Sequence, residues 1–357
     1  MTEANNADEA VVGTVEPEGA DRLDEAKLSE WMAANVAGFE GPLHLTKFKG
    51  GQSNPTYKIE TSSGNYVLRR KPFGQLLPSA HAVDREFRVQ SGLQGSGFPV
   101  ARQYGLCTDE SVVGSWFYVM GMVDGRTIWD GSMPNDAPEY RRETYMAMID
   151  TLAQLHSVNV DAAGLSEYGK PGNYFGRQVD RWTKQYRLSE TELMPDMEQL
   201  IEWLPATLPE QTRTSVVHGD YRIDNMIWAK DEPEVLAVLD WELSTLGDPL
   251  GDFSYVAMAW VTDNAGRSGV QDLDRKALGI PELEEVVERY CAKTGRTSVP
   301  NMNWYFAYNF FRLAGILQGI KKRVIDGTAS SSHAREMSDR VQPLVTRAAE
   351  FAKLAGM

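Results

Sequence analysis

Two short apolar runs, Met226-Ile227-Trp228 and Val235-Leu236-Ala237-Val238-Leu239, flank the polar stretch Asp231-Glu232-Pro233-Glu234, and the second runs straight into Asp240. Such runs around a polar turn read as a β-hairpin. Closed there, the hairpin brings Asn225 and Asp240 together at one end. Immediately upstream stands His218-Gly219-Asp220-Tyr221-Arg222-Ile223-Asp224-Asn225, preceded by Val216-Val217. Asp220 supplies a carboxylate that can take a proton from a hydroxyl. Asn225 and Asp240 supply hard oxygen donors of the kind that suit Mg²⁺. Glu242 offers a further metal contact, or else a loop carboxylate turned to solvent.

An Asp, four residues and an Asn is the spacing of a kinase catalytic loop, where positioning and charge neutralisation matter more than a strong base. Other residues fit that plan. Gly50-Gly51-Gln52-Ser53-Asn54 lies between strand-like segments at 43–49 and 56–60. Glycines there let backbone amides approach phosphate oxygens, although the same residues also make an ordinary hairpin turn. No Walker A sequence occurs, which argues against a P-loop enzyme. Arg69 lies on the strand-like 66–70, where the kinase plan places a Lys that grips nucleotide phosphates and pairs with a helix Glu. The forked guanidinium of Arg suits phosphate and carboxylate alike. Glu86, in a helical segment at 83–93, is the best partner; surface charges on an edge strand are the plainer reading. His218 reads as a scaffold that holds the loop by hydrogen bonds, and His156 as structural. Asp252 reads as a helix cap or a tether for the catalytic loop.

Residues 1 to about 22 read as a disordered tail, rich in Glu, Ala, Asn and Gly. A β-rich N-lobe follows over 23–120, with a helix at 23–37, the strands named above, further strands near 102–106 and 116–120, and the helix at 83–93. A glycine-punctuated hinge spans 121–125. Helices dominate 126–357, at 138–156, 173–188, 196–204, 252–261, 281–293, 302–325 and 334–354. A chain of 357 residues is long enough for two lobes with separate cores. Its net charge of −14 argues against nucleic acid and anionic membranes as partners. No apolar run approaches membrane-spanning length. The two cysteines, Cys107 and Cys291, far apart in sequence, read as reduced thiols of a cytoplasmic protein. Oligomeric state is not legible.

Taken together, these residues resemble the aminoglycoside phosphotransferase family, over about 43–332. The resemblance implies an α+β, protein-kinase-like bilobal fold with a small β-rich N-lobe and a larger helical C-lobe. It implies ATP and Mg²⁺ as cofactors, Asp220 as catalytic base, and Asn225 and Asp240 as metal ligands. Arg69 and Glu86 match the phosphate-gripping pair, with Arg in place of the usual Lys. The segment 118–122, with Met120 and Met122, would offer its backbone to adenine. A narrower likeness, carried by the segments 238–249, 311–319 and 329–331, is to the kinase-like part of acyl-CoA dehydrogenase fusion proteins, of which this chain would be a free-standing version. That likeness points to a small-molecule hydroxyl acceptor that is a hydroxylated acyl group, with Arg312 a candidate anion contact. An aminoglycoside or amino-alcohol kinase is the alternative. A nucleotide-binding pseudokinase module and a metal-dependent hydrolase using His218, Asp220, Asp224 and Asp240 are weaker readings.

Overall fold

Side chains along the strand Gly64–Arg70 point alternately to two cores. Tyr66 and Leu68 pack with Leu45, Tyr57, Ile59, Phe117 and Val119, whereas Val67 packs with Val83, Ala101, Tyr118 and Met120. A strand buried on both faces demands cover on both. The helix Glu25–Asn35 covers the first face with Leu28 and Met32, four residues apart. Its N-terminus is capped by Asp24, whose carboxylate accepts from the Lys27 amide. The helix Val83–Gly95 presents Val83, Glu86, Val89, Gln90 and Leu93 as its buried side.

The computed structural model describes residues 13–49, 54–74, 81–266, 268–328 and 334–357. The chain divides into two compact units, the first comprising residues up to Met133 with Val158–Tyr168 and Arg222–Ser244, the second the remainder. The first unit carries a six-stranded antiparallel sheet: β1 (Thr14–Val15), β2 (His44–Phe48), β3 (Thr56–Thr61), β4 (Gly64–Arg70), β5 (Gln103–Cys107) and β6 (Phe117–Gly121), in the order β1-β2-β3-β4-β6-β5. It also holds the two-stranded hairpin of Met226–Trp228 and Val235–Val238. The second unit is mostly helical, with one small two-stranded sheet in which Ser215–Val217 pairs with Thr245–Gly247. The α+β class with a kinase-like division of strands and helices therefore holds.

Expectation and structure differ most in the following places. Residues 13–22 belong to the fold rather than to a disordered tail: Thr14 and Val15 pair with Phe48 and Lys47, the Asp21 carbonyl accepts from Tyr57 Oη, and the Asp21 carboxylate lies 2.6 Å from Lys47 Nζ. The segment 121–125 is glycine-punctuated for close packing, not for looseness. A Cβ on Gly125 would sit 2.3 Å from the Trp228 carbonyl oxygen, and Arg126 exchanges backbone hydrogen bonds with Trp228. The single helix expected at 334–354 is two, Ala334–Asp339 and Val341–Leu354. Pro343 explains the break, since a proline is tolerated in a first turn but clashes in a helix interior.

Candidate active site

The first unit builds a cluster around Arg69. Antiparallel register sets Arg69 opposite Thr56 on β3 and Tyr118 on β6. Arg69 Nε lies 2.7 Å from Glu86 Oε2, and its Nη2 lies 3.3 Å from Asp240 Oδ1 and 3.9 Å from Glu242 Oε2. The Nε–H is not aimed along the contact, so the 2.7 Å approach is an ion pair rather than a straight hydrogen bond. Glu86 is only 2% exposed. A carboxylate so placed needs its lone pairs filled, and two further donors do so: Asn54 Nδ2 at 2.7 Å on Oε1 and Tyr118 Oη at 3.0 Å on Oε2. Burial works to raise the Glu86 carboxyl and leaves it above its ordinary value, against the pull of Arg69 and Tyr118. Burial opposes the charge of Arg69 too, but Glu86 and Asp240 hold the guanidinium more firmly protonated than usual. Burial and the Glu86 charge push the Tyr118 hydroxyl well up, so it stays a donor.

The hairpin closes as its sequence demands. Met226 pairs with Val238, and the Leu239 amide donates to the Asn225 carbonyl at 2.8 Å. Asn225 and Asp240 thus emerge at one end of one hairpin. Asp240 has φ 62° and ψ 64°, the left-handed region in a non-glycine residue. Such a backbone costs about 1–2 kcal/mol and clusters at functional sites. Asp240 and Glu242 bring carboxylate oxygens within 3.3 and 3.9 Å of Arg69 Nη2, and Asn225 offers an amide oxygen, donor types that suit a hard divalent cation, although among the described residues no group of three or more His, Cys, Asp or Glu side chains gathers as a metal site. Met120 lies within the sheet, and the Met122 amide donates to the Asn65 carbonyl at 3.2 Å. Gly50, Gly51, Gln52 and Ser53 lie outside the described residues; Asn54, the last residue of that loop, is buried and also meets His81 Nδ1 at 3.0 Å.

The second unit holds the front of the loop, since the boundary between units falls after Tyr221. Asp252, 1% exposed, accepts from the His218 amide at 2.6 Å and the Gly219 amide at 2.8 Å. It is a tether and not a cap: it lies inside the first turn of the helix Leu250–Ala257. His156 Nε2 lies 3.4 Å from Asp252 Oδ2, and Tyr290 Oη meets His156 Nδ1 at 2.7 Å. Burial alone would raise the Asp252 carboxyl, but His156, His218 and the Gly219 amide hold it below its ordinary value. His218, fully buried, accepts at Nδ1 from the Asp220 amide at 3.2 Å. Gly219 takes φ 88°, which explains the glycine. Asp220 is partly exposed at the end of this held segment. Tyr221 Oη donates to the Met148 carbonyl at 2.8 Å. Gly247 and Gly251 are explained by close approach, since a Cβ on them would come within 2.2 and 2.7 Å of the Tyr174 ring.

Arg312 does not reach into open space. It is buried, its guanidinium donates to the Gly219 carbonyl, and it lies 5.6 Å from the Trp182 ring and 5.1 Å from that of Tyr255. The Asn54 side chain, Tyr118, His81 and Tyr290 were not anticipated as contributors to these clusters. One signal was present: Glu86 and Gln90 are polar residues four apart on the otherwise apolar side of their helix.

Residues 44–290 match the family model described as the phosphotransferase enzyme family, APH. The chain belongs to the APH phosphotransferase family. It is 46% identical over 318 residues to acyl-CoA dehydrogenase family member 10 of Mus musculus, an alignment covering 88% of this chain and 30% of that protein. It is 39% identical over 338 residues to acyl-CoA dehydrogenase family member 11 of Homo sapiens, covering 93% and 43% respectively. The chain therefore spans less than half the length of these curated relatives. Among solved structures, a Ralstonia eutropha JMP134 protein assigned to the aminoglycoside phosphotransferases superposes with a TM-score of 0.88 at 48% identity, covering 94% of this chain and all of that one. Spectinomycin phosphotransferase in complex with ADP and spectinomycin has a TM-score of 0.59 at 11% identity over 93% of this chain and 98% of that one, a likeness of fold. No helix among the described residues is long and apolar enough to cross a membrane.

Proposed function

We propose that this APH member is an ATP- and Mg²⁺-dependent phosphotransferase acting on a hydroxyl of a small molecule, and that the acceptor is a hydroxylated acyl compound, free or as a CoA thioester. The observation that carries the first part is the Arg69 cluster: a guanidinium braced by buried Glu86 at 2.7 Å, beside Asp240 in a left-handed backbone. It combines a preorganised cation for phosphate with oxygen donors for a metal. In this reading Asp220 orients the acceptor hydroxyl and accepts its proton as the hydroxyl oxygen bonds to the γ-phosphorus. The bond from that phosphorus to the β–γ bridging oxygen breaks, and ADP leaves. Arg69 binds phosphate oxygens, and Asn54 ties the end of the glycine loop to the same cluster. Asn225 and Asp240, with Glu242, would hold Mg²⁺, which supplies neutralisation of phosphate charge. A cytoplasmic setting goes with this reading.

The acyl part is supported by the relatives of 39–46% identity, named as acyl-CoA dehydrogenase family members. A cationic acceptor has one observation of its own, the net charge of −14, which draws cations. A panel of hydroxy acids, hydroxyacyl thioesters, amino alcohols and aminoglycosides, scored by ADP release and phosphorylated product, separates the two. Turnover with a medium-chain hydroxyacyl thioester or its acid is expected, with little for kanamycin-like compounds. The opposite ranking assigns the chain to antibiotic-type acceptors. Nucleotide binding without turnover across the panel would leave only a binding module.

A further inference from the structure

The peptide units around Gly219 are held from opposite sides, by groups that play no part in the chemistry proposed above. On the amide side, Asp252 accepts from His218 N and Gly219 N. On the carbonyl side, the Arg312 guanidinium donates to the Gly219 oxygen. The same peptide plane continues to the Asp220 amide, which donates to His218 Nδ1. Both planes that meet at Gly219 are therefore fixed, which holds the glycine at φ 88°.

Neither holding group is simple to maintain. A carboxylate that is 1% exposed tends towards its neutral form unless charge and donors oppose this. His156 supplies the opposition at 3.4 Å, and Tyr290 sets its ring by the 2.7 Å contact at Nδ1. Burial pushes the Tyr290 hydroxyl well up, so it keeps its proton and donates to Nδ1. With Nδ1 accepting, the imidazole N–H lies at Nε2, facing Asp252. Tyr290 is itself fixed, stacked on Phe253 with ring centres 4.0 Å apart. Arg312 is a buried cation between aromatic rings, and its Nε has no hydrogen-bond acceptor among the described residues, so the Gly219 carbonyl carries much of what keeps it oriented. A guanidinium committed in this way is poorly placed to bind an acceptor's anionic group.

We propose that Arg312 and the Tyr290–His156 pair are positioning residues that clamp the Gly219 peptides and thereby fix the backbone from which Asp220 projects. The proposal rests on the reading of Asp220 as the base. Misplacing a reacting group by about 1 Å can cost about 10²-fold in rate, so such a clamp acts on kcat and not on ground-state binding.

The test uses the full chain and three variants: Tyr290→Phe, which keeps the stack and removes only the hydroxyl, Arg312→Gln and Arg312→Lys. Hydrogen exchange of the 218–220 amides is measured alongside calorimetry with Mg²⁺ and a non-hydrolysable ATP analogue. Turnover is then measured with the best hydroxyl acceptor of the panel. Exchange at 218–220 is expected to quicken by about 2- to 10-fold in Tyr290→Phe and Arg312→Gln, the factor one lost hydrogen bond gives, with other segments unchanged. The turnover number should fall while acceptor KM and nucleotide affinity hold, and Arg312→Lys should recover part of the loss. Unchanged exchange in both variants, or equal quickening throughout the chain, overturns the clamp. A rise in acceptor KM with kcat preserved in Arg312→Gln overturns it too and returns Arg312 to an acceptor contact. Altered exchange in a chain that phosphorylates nothing supports the clamp and removes the proposed reaction.

Discussion

Asn54 donates a 2.7 Å hydrogen bond to Glu86, so the residue that ends the glycine loop is fastened to the partner of Arg69. Asn54 and the Arg69 cation are thereby joined through one buried carboxylate. Asn54→Ala removes a bond to a charged group, which is worth about 1.5–3 kcal/mol. Urea unfolding should show a loss of about 2 kcal/mol, and nucleotide affinity should fall with it. A variant as stable as the parent would mean that the Asn54–Glu86 bond contributes nothing net.

Arg69 and Glu86 should behave as a coupled pair. Glu86→Ala strands a guanidinium that still has Asp240 at 3.3 Å, whereas Arg69→Ala leaves a buried carboxylate with two hydrogen bonds and no cation. Arg69→Ala is expected to cost more in nucleotide affinity, and Arg69→Lys to retain part of it, because charge survives and the fork does not. A double-mutant cycle by calorimetry measures the coupling, and additivity within about 0.3–0.5 kcal/mol would show the two to be independent.

The base and the metal ligands should separate cleanly. Asp220→Asn is expected to lower turnover at least about 10²-fold with nucleotide affinity little changed, the behaviour of a positioned acid–base group. Near-full turnover in that variant would exclude Asp220 as base.

Asp240 allows a finer comparison because its backbone is left-handed, at φ 62°. Asn tolerates that region and Ala does not. Asp240→Asn and Asp240→Ala should both lose most Mg²⁺-dependent nucleotide binding. Asp240→Ala should also unfold more readily, by about 1 kcal/mol relative to Asp240→Asn. Metal-dependent affinity surviving in both would place the cation elsewhere.

Local pattern carried much of this architecture. The helix Met302–Ile325 matches its expected bounds to the residue, and the hairpin joining Asn225 to Asp240 follows from two apolar runs around one turn. What stayed hidden was long-range or very short. The strand Thr245–Gly247 has three residues and ends in glycine, too little for any period, and it exists because Ser215–Val217 lies beside it. The tail at 13–22 reads as polar because its anchoring runs through Asp21, whose partners Lys47, Tyr57 and Arg70 are distant in sequence. Arg312 carries a charge that looks available for a ligand, and nothing near it in sequence announces the Gly219 carbonyl. Asp252 was legible as a tether only because it stands beside a loop already recognised.

The pH dependence of stability should report that tether. The Asp252 carboxyl is held below its ordinary value of 3.8 by His156, His218 and the Gly219 amide, which together outweigh burial. A group depressed in the folded state binds its proton more readily when unfolded. Its contribution is therefore present above pH 3.8 and is lost as pH falls below that value. Glu86 acts in the opposite sense, because burial raises its carboxyl above 4.5, and its ionisation weakens the fold as pH rises through that region. Comparing the parent with Asp252→Asn at each pH cancels Glu86 and isolates Asp252. Near pH 7 the variant should be less stable by about 3 kcal/mol, because an amide group now faces donors that a carboxylate accepted. Below pH 3.8 the gap should narrow as the parent's own carboxylate takes up its proton. Urea midpoints across this range give the measurement. A gap constant from neutral to strongly acid pH would mean that the charge of Asp252 does not hold the loop and that the shape of the side chain alone does.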